Sequence, residues 1–173
     1  VERVKGGCYS TNIKSARTML KAGMKEVVST DKEIRYFEIR KEDLTRKYVR
    51  VMDGTKSNAG GFEYKLDEIN YSDNWNPNEI EPDKMGGFNF SSEDKILRWL
   101  HRGDTMYDVI VPEDTEVVLC NEEKGVWRAN KIIVTNPRQI TDELVIELYK
   151  KTTLSNKVLA QCLQTLLWKN RLK

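Results

Sequence analysis

Residues 85–134 constrain the fold more than any other part of the chain, because a helix and several strand patterns follow one another within fifty residues. The segment 91–94, Ser-Ser-Glu-Asp, is a helix start, with hydroxyls for the first amides and acids in the first turn. Apolar residues at helical spacing follow it, and Gly103 ends the pattern. The sequence therefore predicts one central helix between strand-forming segments.

Alternating apolar and polar residues predict the strands. In chain order, these are 34–39, 47–52, 62–66, 106–111, 116–120 and 126–134, with Asn136-Pro137 closing the last one. The opening segment 6–11 is predicted to be a loop that leads into a short helix, capped by Thr11 or Asn12 and stopped at Gly23. The glycine pairs at 6–7, 60–61 and 86–87 are predicted to be turns before strands.

Two amphipathic helices are predicted at the C-terminus, with Thr141 and Ser155 as their caps. Their apolar faces must pack on the rest of the chain or on a partner helix, and packing on the same chain is favoured. We therefore predict an α+β fold of short, mostly antiparallel strands with a central helix and a C-terminal helical pair. Residues 1–138 form the α+β domain, and residues 139–173 form a helical extension packed on it.

The charges are strongly segregated along the chain, although the net charge is only +2. Residues 1–65 carry 15 basic and 9 acidic side chains, residues 66–147 carry 8 and 18, and residues 148–173 carry 6 and none. A general nucleic-acid-binding protein would need one coherent basic face, which this pattern disfavours. We instead predict that the basic ends pack against the acidic middle and neutralise it.

The sequence offers no recognisable set of residues for metal binding or catalysis. The three cysteines are far apart and His101 is the single histidine, so no zinc-binding spacing can be formed. The cysteines are predicted to be buried, reduced thiols, which favours an intracellular, reducing compartment. No glycine-rich phosphate-binding motif occurs, and no apolar run is long enough to span a membrane. We therefore predict no catalytic, cofactor-binding or metal-binding residue, no cofactor, and no contact with a membrane.

The segment 67–84 is the one long irregular stretch of the chain, and it contains six acidic residues before Lys84. A connection of this length inside a compact domain is usually functional or mobile. Trp75 is either an exposed aromatic anchor for a partner or a side chain that tucks the segment against the core, and the second alternative is favoured. On the first alternative, the predicted partner-binding residues are Trp75, Asp73, Glu79 and Glu81.

Several motifs together suggest a family. They are Gly86-Gly87-Phe88-Asn89-Phe90-Ser91, the helix ending at Gly103, Val109-Ile110-Val111-Pro112, and Trp127-Arg128-Ala129-Asn130-Lys131-Ile132-Ile133. In this order they resemble the N-terminal region of uncharacterised proteins of giant viruses related to mimivirus, and residues 60–65 are similar to an earlier element of that family. The resemblance covers about residues 48–138. Many members continue into ankyrin repeats, whose sequence pattern is absent from this chain.

The resemblance implies a viral protein that acts in the cytoplasm of an infected host, and it carries over no activity to any residue. The leading hypothesis is a non-enzymatic protein-interaction module, monomeric, that binds a host or viral protein. One alternative is a divergent ADP-ribosyltransferase-like enzyme, because residues 87–92 before a helix are similar to an element of that fold. Another is weak nucleic-acid binding through the basic C-terminal helix.

Overall fold

The computed structural model of the protein describes residues 3–22, 24–27, 30–40, 46–57, 61–79, 81 and 83–168. Its elements, in chain order, are β1 Arg3–Tyr9, α1 Ile13–Lys21, β2 Lys25–Val27, β3 Ile34–Arg40, β4 Tyr48–Met52, β5 Ile69–Tyr71, β6 Phe88–Ser92, a 3-10 helix Glu93–Arg102, β7 Thr105–Ile110, β8 Val117–Asn121, β9 Val126–Ala129, β10 Lys131–Gln139, α2 Asp142–Lys151 and α3 Asn156–Trp168. The fold is α+β with antiparallel strand pairs, a central helix and two C-terminal helices, as predicted.

The described strands form two sheets. The smaller has the order β1-β3-β2, and α1 packs on it and also reaches β8 of the larger sheet. The larger has seven strands in the order β5-β10-β7-β4-β6-β9-β8. Most neighbours in the larger sheet are distant in the sequence, so its register is set by long-range packing and not by tight hairpins.

Both faces of β4 are covered, because the larger sheet lies between two apolar clusters. Val49 and Val51 face a cluster formed with the 3-10 helix, α2 and α3, in which Leu100 and Leu148 are fully buried. On the other face, Met52 joins a cluster rich in aromatic residues. Each fully buried leucine contributes about 1.5–3 kcal/mol. The C-terminal helices are therefore held on the sheet by the same core that holds the central helix.

Ion pairs connect the basic ends of the chain with its acidic middle, in line with the charge pattern. Glu93 lies between Lys47 and Lys151, at 3.4 and 3.5 Å respectively. In the smaller sheet, Lys25 pairs with Glu122 at 3.1 Å. These contacts join α2, β2 and the start of β4 to residues of the 66–147 region.

Two predictions about the first 70 residues are wrong. The segment 6–11, predicted to be a loop, lies mostly in β1, which pairs with β3 along its whole length. Pairing with a neighbouring strand outweighs the low strand preference of Gly6-Gly7. The segment 62–66, predicted to be a strand, forms only two isolated bridges, because Phe62 packs edge-to-face on Tyr64 and Phe88, and the Tyr64 ring lies tilted against Phe88. The predicted helix stop at Gly23 and the turn residue Gly60 lie outside the described residues.

The strand predicted over 126–134 is two strands, and this prediction is wrong as well. Asn130 separates β9, which pairs with β6 and β8, from β10, which pairs with β5 and β7. Asn136-Pro137 does not end β10: the strand continues through a bulge at which Asn136 has φ of 51°. Asparagine tolerates this left-handed conformation better than most residues, so the ladder resumes after it.

The predicted central helix is present, but its backbone is 3-10 over all ten residues. Ser92 sits at its N-cap, but its side chain does not cap the helix amides, contrary to the prediction, while the predicted caps Asn12 and Thr141 accept from backbone amides at 3.0 and 3.3 Å. The connection between α2 and α3 is bonded to the first turn of the 3-10 helix, since Thr152 Oγ1 donates to the carbonyl of Asp94 at 2.8 Å.

Candidate anion-binding pocket

A cavity of about 310 Å³ opens where β4 and β6 separate inside the larger sheet. Their backbone pairing covers only Tyr48↔Ser92 and Val49↔Ser91. One residue further along β4, the side chain of Arg50 crosses the gap and donates to the carbonyl and the side-chain oxygen of Asn89 on β6. The cavity therefore lies where the two strands are no longer paired, and we call it the Arg50 pocket. Its lining residues are Val49, Arg50, Val51, Ser57, Asp83, Asn89, Phe90, Ser91, Ile96, Trp99, Arg102, Cys120, Asn121, Lys124, Val126 and Arg128.

Arg50 is the most buried cation of this pocket, with 9% of its surface exposed. Its guanidinium donates to Asn89 and, at 3.1 Å, to the hydroxyl of Ser57, and it lies 4.9 Å from the centre of the Tyr64 ring. Its buried Nε–H has no acceptor, and no carboxylate among the described residues pairs with it. Among the described residues, the groups that contact this buried positive charge are thus all neutral.

Three further cations line the same cavity. Arg128 on β9 donates to the carbonyl of Gly86 at 2.8 Å and lies 3.5 Å from the carboxylate of Asp83, while its own Nε–H is buried without an acceptor. Arg102, at the end of the 3-10 helix, stacks 4.7 Å from the ring centre of Trp99. Lys124 completes the set from the turn between β8 and β9. In the part of the chain that the structure describes, neither Arg102 nor Lys124 forms an ion pair.

Positive charge predominates among the residues that line the pocket. Burial lowers the pKa of Arg50, and the positive charges of Arg102 and Arg128 lower it further, while Tyr64 acts in the opposite direction. An arginine nevertheless stays protonated in a protein. The described lining residues include four cations and one carboxylate, a formal net charge of three positive units, of which Arg102, Lys124 and Asp83 are exposed. Such a lining favours an anion, since charged groups in a low-dielectric cavity interact strongly.

Trp75 packs against the chain just before β6, as in the second of its two sequence-based alternatives. The indole is half-buried, its Nε1–H donates to Glu116 at 2.6 Å, and its ring covers Gly87. Gly87 has φ of 70°, and a Cβ there would lie 2.5 Å from the ring, so only glycine fits. Trp75 thereby holds the acidic segment against the start of β6.

The other predicted partner-binding residues lie along the same segment, outside the Arg50 pocket. Asp73 is exposed, two residues before Trp75. Glu79 accepts from the amide of Glu81 at 3.2 Å, and Glu81 pairs with Lys84 at 3.0 Å. A neighbour that was not singled out, Asp83, is the residue of this segment that reaches the pocket rim.

The basic residues of the pocket were missed at the level of the sequence. Arg50 stands in a strand whose alternation assigns Val49 and Val51 to the buried face and leaves the arginine without a role. Arg128 lies within the Trp-Arg-Ala-Asn motif quoted above, and this was the one available signal. Their convergence depends on the separation of β4 from β6, which no local pattern encodes.

The described residues contain no cluster of three or more metal-ligating side chains. The three cysteines are free; Cys162 is buried as predicted, whereas Cys8 and Cys120 are half-buried, so the prediction is wrong for these two. Burial raises the pKa of the Cys120 thiol in the pocket wall, although Arg128 acts in the opposite direction, and this favours the neutral thiol. Among the described residues, no helix is long and apolar enough to span a membrane.

Comparison with known proteins adds no relative. No protein-family model matches the chain, no curated protein matches it, and no solved structure matches it. The functional argument therefore stands on the pocket and on the surface of this chain alone.

Proposed function

We propose that this protein is a non-enzymatic interaction module, and that the Arg50 pocket receives an anionic group of its partner. The observation that supports this function is the buried guanidinium of Arg50, which faces a cavity without a carboxylate counter-ion among the described residues. Burying an uncompensated charge is costly, and a bound anion would offset that penalty. Arginine also suits the task, because its fork of N–H donors matches the oxygens of carboxylates and phosphates.

The test is thermal unfolding in potassium phosphate and in potassium chloride at equal ionic strength. A ligand at one hundred times its Kd stabilises the folded state by about 2.7 kcal/mol. In a chain of this size, that corresponds to a rise in Tm of roughly 5–11 °C. We expect this rise in the wild type and its loss in Arg50→Met, which keeps an apolar stem in the site.

The matched control is Arg35→Met. Arg35 lies in the smaller sheet, is paired with Glu26 at 2.7 Å, and is remote from the pocket lining. This variant should retain the full phosphate response. An equal response in the wild type and in Arg50→Met would show that phosphate acts elsewhere, and the proposed site would be wrong.

The acidic segment is a second proposed contact surface, for a protein partner with a basic face. It is supported by the exposed carboxylates of Asp73 and Glu81 beside the anchored Trp75. The test is capture of a defined partner from lysate of infected host cells, with wild-type protein and Asp73→Ala. Loss of that partner in Asp73→Ala would support the surface, and unchanged capture would remove it. Trp75 also holds the segment against the rest of the chain. A variant at this position should therefore be Trp75→Phe, which keeps an aromatic ring there, and not Trp75→Ala.

The resemblance to giant-virus proteins supports a setting in the cytoplasm of an infected host, with a monomer binding a host or viral protein.

The ADP-ribosyltransferase-like alternative rests on residues 87–92, which form β6 and the residue before it. Absence of a melting shift with millimolar NAD would exclude it.

Nucleic-acid binding would involve basic residues at 169–173, which lie outside the described residues. Salt-dependent retention on a phosphate matrix that Arg50→Met leaves unchanged would support it.

A further inference from the structure

We infer that the anionic group held in the Arg50 pocket is a phosphomonoester and not a carboxylate. The inference rests on the proposed function, because it names the chemistry of the group that the same site would bind. It draws on the charge of the lining, on its free N–H donors, and on the apolar wall beside them.

The charge of the pocket exceeds what a single carboxylate neutralises. Among the described residues, four cations and one carboxylate, Asp83, line the cavity; Arg50 is buried and Arg128 half-buried, while Arg102 and Lys124 are exposed. That carboxylate is fully exposed and 3.5 Å from Arg128, so it offsets little of the buried charge. A phosphomonoester carries between one and a half and two negative charges near neutral pH, whereas a carboxylate carries one.

The donors point to a group with more than two acceptor oxygens. The Nε–H groups of Arg50 and Arg128 are both buried and without an acceptor, and they lie on strands from opposite sides of β6. Arg102 and Lys124 add further donors at the same cavity. A phosphoryl group presents three strong acceptor oxygens in a tetrahedral arrangement, so it can bond to donors from several directions. A planar carboxylate offers two.

Part of the pocket wall is apolar and has room for an organic substituent. Phe90, Trp99 and Val126 belong to this part, while polar residues such as Ser57 and Ser91 also line the cavity. The volume of about 310 Å³ lies at the lower limit of small-molecule sites, which run from roughly 300 to 1,000 Å³. The pocket therefore accommodates a phosphoryl group with a small organic body, such as a phosphorylated side chain or a small phosphate ester.

Asp83 competes with this ligand for Arg128 from the pocket rim. Because its carboxylate reaches into the solvent and contacts Arg128 only at 3.5 Å, an entering phosphate can displace it. Asp83→Asn removes the competing charge and should strengthen phosphate binding several-fold. Asp73→Asn removes a carboxylate of the same segment outside the pocket, and should leave the affinity within twofold.

The experiment is isothermal titration of the wild-type protein with phenyl phosphate and with benzoate at pH 7.5 and at pH 5. The two probes share the ring and differ in the anion. The second ionisation of a phosphomonoester lies near pH 6, so its dianion falls to about a tenth at pH 5. We expect phenyl phosphate to bind at least tenfold more tightly than benzoate at pH 7.5, and to weaken about tenfold at pH 5.

Benzoate also corrects for titration of the protein itself, since it stays largely ionised at both values of pH. The charged and titratable groups that line the pocket are Arg50, Arg102, Lys124, Arg128, Asp83 and Cys120. Any change in their charge acts on both probes, so the difference between the probes reports the phosphate. Arg50→Met should abolish the preference, and its near-ultraviolet circular dichroism would show that the fold is retained. If Arg50→Met fails to fold, Asp83→Asn tests the same site, because this variant should strengthen the binding of phenyl phosphate.

The outcomes distinguish failure of the phosphate inference from failure of the proposed anion pocket. Equal affinity for benzoate and phenyl phosphate would overturn the phosphate inference and leave the anion pocket in place. Absence of binding by both probes would overturn both. A third probe, acetyl-Gly-phosphotyrosine-Gly-amide, distinguishes the sources of the phosphate. Binding as tight as that of phenyl phosphate identifies a modified protein side chain, and loss of binding identifies a small phosphorylated molecule; either result supports the phosphoryl group.

Discussion

Gly87→Ala should destabilise the protein far more than a glycine substitution at an open site. Gly87 has φ of 70°, a conformation that costs an alanine about 1–2 kcal/mol. In addition, the new methyl group would lie 2.5 Å from the Trp75 ring and 2.7 Å from the carbonyl oxygen of Ala129. Overpacking of this kind costs about 1–3 kcal/mol, because the ring and the strand must both move. The sum is roughly 2–5 kcal/mol.

Gly54→Ala is the matched control for this prediction. Gly54 has φ of 54°, and no atom lies within 4 Å of the position that its Cβ would occupy. It therefore bears only the conformational penalty of about 1–2 kcal/mol. The benefit that alanine brings by restricting the unfolded chain is the same for both variants and cancels in the comparison. The difference between the two variants isolates the steric term.

The assay is urea unfolding of the wild type and both variants, followed by far-ultraviolet circular dichroism. We expect the free energy of unfolding of Gly87→Ala to lie below that of Gly54→Ala by about 1–3 kcal/mol. Indole fluorescence should change in Gly87→Ala alone, because Trp75 must leave its place over residue 87. Equal destabilisation of the two variants, with unchanged fluorescence, would refute the packing of Trp75 against the start of β6.

Two further predictions concern the core and the pH dependence of stability. Leu100 is fully buried, so Leu100→Ala should lower the free energy of unfolding by about 2–5 kcal/mol in urea titrations; Ile146, which is 55% exposed, should tolerate the same truncation within about 0.5 kcal/mol. Burial acts to raise the pKa of Asp108, but hydrogen bonds from Asn136 and Lys47 and nearby positive charges outweigh it and lower the pKa below its usual 3.8. Since the folded-state pKa is the lower one, this carboxylate stabilises the fold above about pH 4, and its contribution is lost as the pH falls further. Acid titrations of Asp108→Asn should therefore show a shallower loss of stability below pH 4 than the wild type, and an identical slope would contradict this role.

The helical elements could be predicted because their signals are local. The hydroxyl or amide oxygens of Asn12 and Thr141 cap the amides three residues later, as their positions before apolar-faced segments indicate. The central helix was recognisable from its buried stripe and from Gly103. Its 3-10 backbone was not recognisable, because side-chain spacing over ten residues does not separate the two helix types.

The errors in the strands have a common physical origin in long-range pairing. β1 contains two glycines and becomes a strand only because β3 lies beside it. The alternation in residues 126–134 is the same on both sides of Asn130, so it cannot show that the chain changes its neighbours there. Local propensity is a weak guide wherever the partner strand decides the outcome.

The candidate pocket could not be predicted for the same reason. It exists because β4 and β6 pair over two residues and then separate, and the side chain of Arg50 reaches across to Asn89. Alternation in a strand predicts a solvent-facing arginine, whereas the aromatic cluster around Tyr64 covers that face and buries it. The sequence-based assignment of Asp73, Glu79 and Glu81 as partner contacts stays a prediction, which the capture experiment tests.

The most direct test of the anion pocket is the side-chain Nε–H resonance of Arg50 in a proton–nitrogen NMR spectrum. This N–H is buried and without an acceptor, so a bound anion would give it one. We expect phenyl phosphate to move the Arg50 resonance and to slow its exchange with water, while the Nε–H of Arg35, bonded to Glu26 at 2.7 Å, stays unchanged. An unchanged Arg50 resonance at millimolar phenyl phosphate would contradict the assignment of this pocket as an anion site.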